Sequence, residues 1–178
     1  MKILKYENKT KTHRIIETVS TENLIERLNR DEGLLEVISI HDSNTNVRLF
    51  FDIDCYDKTN DPLQNVLHIL NTYFKCETHD WAICSSNRTD KFSYHIVSKK
   101  LATTIKNLRI ITKELAYKLN VFDDRMLYCS ITDEFESIYF RLPNQSKKTI
   151  NKQAPPLSVI QGHIEDFFIT NMHNLIYI

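Results

Sequence analysis

The most regular apolar spacing in the chain runs through Leu63, Val66, Leu67, Leu70 and Phe74, which recur at i, i+3, i+4, i+7 and i+11. That period lays one hydrophobic stripe along a helix over 62–75. Asp61-Pro62 supplies its start, an N-cap acid followed by proline, whose missing N–H costs nothing in a first turn. A second stripe, Leu101, Ile105, Leu108, Ile111 or Thr112, Leu115 and Leu119, predicts a long amphipathic helix through "LATTIKNLRIITKELAYKLN". A third follows Ser20, a natural N-cap. Leu24, Ile25 and Leu28, then Leu34, Leu35 and Val37 beyond Gly33, predict helix across "TENLIERLNRDEGLLEVIS".

Elsewhere the period shortens to two. A strand is expected over 47–55 after the polar turn "HDSNTN". The segments 81–85 and 91–98 flank "SNRTD" as a hairpin, and shorter strands follow near 125–130 and 138–143. The first 18 residues read as an extended arm or edge strand, "QAPPL" as an irregular connector, and "IEDFFITNMHNLIYI" as a tail that packs back. The order β-α-β-β-α-β-β predicts an α+β fold, a split βαβ or RRM-like sheet with an N-terminal αβ extension. The expected organisation is a single domain: arm and helix at 1–46, core at 47–152 and a packing segment at 153–178.

Composition changes this picture mainly by exclusion. At 178 residues the chain can bury one good core. Lys plus Arg equals Asp plus Glu, so net charge points to no partner. With only two glycines, neither a Walker loop nor a dinucleotide-binding glycine fingerprint can be written. Any nucleotide must therefore be held by side chains. Four cysteines without a CxxC pair argue against structural zinc and for free thiols in a reducing compartment. The sequence has no long apolar run and no signal peptide, so an intracellular protein without membrane contact is expected. Charge is segregated locally. From Arg88 to Lys118 eight basic residues face two acids, and 141–152 is purely basic, whereas 123–136 is acidic. Such blocks are either solvated faces or the footprint of a polyanion-binding surface.

Candidate chemistry sits inside strands. In "LFFDID", Asp52 and Asp54 share one face while Leu49, Phe51 and Ile53 take the other. Two carboxylates about 7 Å apart along a strand repel each other. A hard divalent cation such as Mg²⁺ or Mn²⁺ relieves that repulsion; otherwise Asp52 is a solvated surface acid and Asp54 opens a turn. In "KFSYHIV", Lys91, Ser93 and His95 lie in phase as an ammonium, a hydroxyl and an imidazole, a phosphate-grasping row built without glycine. A two-metal site needs a further carboxylate, which Asp123 or Asp124 of "FDDRMLY" can supply. Arg141, in a strand among apolar neighbours, and Lys147, six residues on, are further phosphate ligands; an internal ion pair is the structural alternative for Arg141.

In this order, "LFFDID", "KFSYHIV", "FDDRMLY" and "FRLPNQSKK" resemble the motifs of the archaeo-eukaryotic primase superfamily, over about residues 23–170. The closest likeness is to the N-terminal primase domain of viral primase–helicases, of poxvirus type and from other large DNA viruses, and to the primase-polymerase branch. The resemblance implies a primase-type catalytic core in which Asp52, Asp54 and Asp124 bind two Mg²⁺ or Mn²⁺ ions. Asp124 is preferred because the family's acid stands four residues before a Tyr, here Tyr128. His95 and Ser93 would contact the triphosphate, and Lys91, Arg141 and Lys147 would be further phosphate ligands. It further implies primer synthesis from NTPs or dNTPs on a single-stranded DNA template at an intracellular viral replication site. The partner would be a replicative helicase, fused or separate. The acidic stretch between Tyr128 and Arg141 is longer than the family pattern. Two rivals remain open from the residues: a metal-dependent nuclease, and a non-catalytic RRM-like nucleic-acid-binding module.

Overall fold

The computed structural model describes residues 1–7, 13–39, 44–123, 137–148 and 153–178. Its N-terminal part contains strands β1 (Lys2–Glu7) and β2 (His13–Thr18), helix α1 (Thr21–Leu28) and strand β3 (Leu35–Ser39). Strand β4 (Asn46–Cys55), helix α2 (Leu63–Phe74), strands β5 (Trp81–Ser85) and β6 (Phe92–Thr104), helix α3 (Ile105–Lys118) and strand β7 (Phe122–Asp123) follow. The remainder holds β8 (Ser137–Arg141), β9 (Lys147–Lys148), β10 (Gln153–Ala154), β11 (Ser158–Gln161) and β12 (Ile176–Tyr177). The molecule is thus a mixed α+β protein. Among the described residues no helix is long and apolar enough to cross a membrane.

Two sheets carry the architecture. The larger has the order β11-β5-β6-β4-β7, antiparallel throughout, and β12 pairs in parallel with the second half of β6. The smaller has the order β2-β1-β3-β8, again antiparallel. Phe51 explains how the helices attach. Its ring meets Phe74 of α2, Trp81 of β5 and Phe122 of β7 at centroid distances of 6.1, 6.3 and 5.7 Å. Phe50, on the other side of the same strand, meets Phe140 of β8 edge-on at 5.1 Å. Helices therefore cover one face of the larger sheet and the smaller sheet covers part of the other. A second apolar cluster, Ile3, Leu24, Leu28, Leu34, Leu142 and Phe168, seats α1.

Several boundaries differ from those the periodicity predicts. Helix α1 starts where expected, with Ser20 Oγ accepting from the Asn23 N–H at 3.3 Å, but stops at Leu28. Gly33 takes φ 74°, which L side chains avoid, and the Leu35–Val37 stretch becomes a strand between β1 and β8. Its apolar spacing suited a helix, yet cross-strand partners at every position outweigh local preference. Strand β6 likewise runs on to Thr104, whose side chain accepts from the Asn107 N–H at 3.2 Å and so starts α3 later than the stripe implied. The N-terminal arm is a two-stranded hairpin. The 138–143 strand appears as β8, but in the smaller sheet rather than the core one. The strand expected at 125–130 lies outside the described residues.

Buried polar groups lock the pieces together. Gln145, fully buried, accepts through Oε1 from the Gly33 and Leu34 N–H groups (2.9 and 3.1 Å) and donates through Nε2 to the Leu28 carbonyl (2.9 Å). Glu36 accepts from the Ile169 and Thr170 N–H groups at 2.8 and 2.9 Å and from the Thr170 hydroxyl. Arg48 donates Nε to the Asn171 carbonyl at 2.8 Å. The tail is thus held by one residue from each sheet.

Candidate active site

Strand alternation and antiparallel register assemble a polar row on the sheet face turned away from α2 and α3. Along β4, Phe51 and Ile53 go to the helices and Asp52 and Asp54 to the opposite side. Register then sets Asp52 between His95 of β6 and Asp123 of β7, and Asp54 opposite Ser93. Cys84 of β5 extends the row beyond His95.

The hairpin that carries Lys91 and Ser93 is fixed by its own turn. Ser86 N–H donates to the Ser93 carbonyl and Arg88 N–H to the Lys91 carbonyl, each at 2.9 Å. Ser93 N–H donates to Asn87 Oδ1 at 2.8 Å. The Tyr94 hydroxyl accepts from Asn87 Nδ2 at 3.0 Å and donates to Asp61 Oδ2 at 2.6 Å, which ties the turn to the start of α2. In this frame the Lys91 ammonium stands 2.5 Å from Asp54 Oδ1, with the two side chains only 15% and 13% exposed. His95 is buried. Its Nε2 lies 3.7 Å from Asp52 Oδ1, and its ring rests on Phe140 at a centroid distance of 4.6 Å. Arg141, at the end of β8, donates Nη2 to Ser86 Oγ (2.8 Å) and Nη1 to the Pro155 carbonyl (3.0 Å).

Asp54 and Asp123 place negative charge beside Asp52, and Lys91 and Arg141 place positive charge against it. Burial pushes the Asp52 carboxyl up to about 7, and repulsion from Asp54 and Asp123 adds to it, while Lys91 and Arg141 oppose the shift. Asp52 Oδ1 is buried and accepts no hydrogen bond among the described residues. Burial lowers the Arg141 pKa, against which Asp52, Asp54 and Cys84 favour its charged form. The buried Cys84 thiol is pushed far up and stays neutral.

Among the described residues no three His, Cys, Asp or Glu side chains stand together tightly enough to hold a metal ion. The donor set nevertheless suits a hard divalent cation. It consists of carboxylate oxygens only, one of them an orphaned buried oxygen, and its excess charge is partly offset by an ammonium already seated on Asp54.

Of the residues singled out in the sequence, Asp52, Asp54, Lys91, Ser93 and His95 lie on one face, and Arg141 reaches them from the other sheet. Asp124 lies outside the described residues, as does the side chain of Lys147, whose backbone is in β9. Asp123 is the acid seen opposite Asp52. The basic block from Arg88 to Lys118 is not one surface. Lys91 borders the carboxylates and Arg88 pairs with Asp90 in the hairpin turn, whereas α3, with Lys106 and Lys118, packs on the helix side of the sheet. Ser86 and Asn87, which hold Arg141 and the hairpin, were not foreseen; the polar turn "SSNRTD" marks them only as loop. No protein-family model matches the sequence, and no curated protein matches it.

Proposed function

We propose that this protein is a DNA primase domain that joins nucleotides on a single-stranded DNA template, with β4 to β7 forming an RRM-like core. The observation that carries this reading is the juxtaposition of Asp52 and Asp54 with Lys91, Ser93 and His95 on neighbouring strands. The succession β4-α2-β5-β6-α3-β7, with spatial order β5-β6-β4-β7, supports the core assignment, since it matches a split βαβ sheet.

Asp52 and Asp54, joined by Asp123 or Asp124, would hold divalent metal, Mg²⁺ or Mn²⁺. When bound, such ions supply positive charge to a triphosphate and acidify an attacking 3′-hydroxyl. Lys91 and Arg141 are the cations in reach of phosphate oxygens, a point charge and a planar fork respectively. Ser93 and His95 offer further donors on the same sheet face. Together these groups orient a triphosphate by side chains alone, as a chain with two glycines requires. A replicative helicase, fused or separate, is the partner this activity calls for.

The test is extension or de novo synthesis of oligonucleotides on single-stranded DNA with NTPs or dNTPs and Mn²⁺. Asp54→Asn should lower the rate by at least about a hundredfold while the protein still unfolds cooperatively. Full activity in that variant, or degradation of DNA without any need for NTP, removes the reading. The second result would point to the nuclease.

A further inference from the structure

We propose that Lys91 is a displaceable counter-ion: its ammonium occupies the cation position on Asp54 until a polyphosphate draws it away. This rests on the nucleotidyl-transfer reading above and concerns how the site is kept before substrate arrives. The Lys91–Asp54 contact of 2.5 Å is largely shielded from solvent. A divalent ion binds carboxylate oxygen at about 2.0–2.1 Å, so it and the ammonium cannot share that oxygen without two cations being forced together. Binding of metal at Asp54 Oδ1 therefore requires Lys91 to leave.

Lys91 is able to leave, and Arg141 is not. The guanidinium of Arg141 is tethered on two sides, to Ser86 Oγ and the Pro155 carbonyl. Lys91 follows the hairpin turn on a flexible stem. While it contacts Asp54 its ammonium already lies over the Tyr56 ring, itself 63% exposed, at 5.6 Å from the centroid, a contact it can keep as it leaves the carboxylate. Polyphosphate entering at this turn meets the ammonium first. Taking it off Asp54 opens the carboxylate to metal, so that metal and polyphosphate each strengthen the binding of the other. In their absence the two charges satisfy one another and the site holds metal weakly.

The experiment uses Mn²⁺ alone, titrated calorimetrically into chelator-stripped protein. Lys91→Gln should bind Mn²⁺ about tenfold or more tightly than the unmodified protein, because the competing charge is gone. Adding Asp54→Asn to that variant should cancel the gain. In the unmodified protein, acetylation of Lys91 followed by mass spectrometry should rise when Mn²⁺ is added. Equal or weaker Mn²⁺ binding by a folded Lys91→Gln overturns the proposal and leaves the nucleotidyl-transfer reading standing. Absence of Mn²⁺ binding in both proteins overturns the two together. If Lys91→Gln does not fold, the labelling arm decides: acetylation that ignores saturating Mn²⁺ overturns the proposal.

Discussion

Asp52 shows how a single residue sets stability against function. Its carboxyl titrates at about 7 in the folded chain against an ordinary 3.8, chiefly because it is buried. The native state therefore keeps this proton where the unfolded chain has lost it, so folding stability falls as pH rises from about 4 to about 7 and then levels off. Ionised Asp52 costs on the order of 2–4 kcal/mol at pH 8. Asp52→Asn should recover most of that at pH 8 and almost nothing at pH 4, read from urea midpoints with chelator present. Equal gains at both pH values would show that charge is not the cause. The same substitution should remove Mn²⁺ binding. This acid was legible in the sequence from its phase with Asp54. Its elevated pKa was not, because burial, the largest cause, and the charge of Asp123 come from parts of the chain that spacing does not place beside Asp52.

At the scale of elements, alternation and turn chemistry located β4, α2, β5 and the start of β6 almost residue by residue, while the end of β6, at Thr104 rather than Ser98, was missed by six residues. They failed where strands find partners far away. Leu35–Val37 looked helical, since spacing alone cannot register that β1 and β8 flank it. Strand β11 is held differently. At its end Gly162 adopts φ 98°, and a Cβ there would lie 2.9 Å from Ala82 Cβ and 3.2 Å from Ala82 Cα. The clash is partly with backbone, so it cannot be relieved by a side-chain rotation. Gly162→Ala should cost about 2 kcal/mol or more, combining strain at positive φ with overpacking against β5. Thermal unfolding checks this, and a loss below about 0.5 kcal/mol would mean that β11 can shift freely.

For the whole molecule, the tail over 169–171 is gripped by Glu36 of the smaller sheet and Arg48 of the larger. Glu36→Ala removes the acceptor for two backbone N–H groups at once. Hydrogen exchange at Ile169 and Thr170 should accelerate at least about tenfold, with global stability lowered by about 2–4 kcal/mol. Unchanged exchange at those amides would show that Arg48 alone suffices. Within the apolar tail Phe167, Phe168 and Ile169 are buried, whereas Ile176, Tyr177 and Ile178 are exposed. The grip was not legible, since a Glu in "LLEVIS" carries no mark of burial. The pairing of β3 with β8 also has a consequence for synthesis on the ribosome. Ser39 of β3 is partnered with Ser137 of β8, so roughly a hundred residues must emerge before that edge is satisfied. At about 5–20 residues per second the nascent hairpin waits on the order of 5–20 s with an open strand. During that interval a chaperone, or a neighbouring chain on the same message, is its natural competitor.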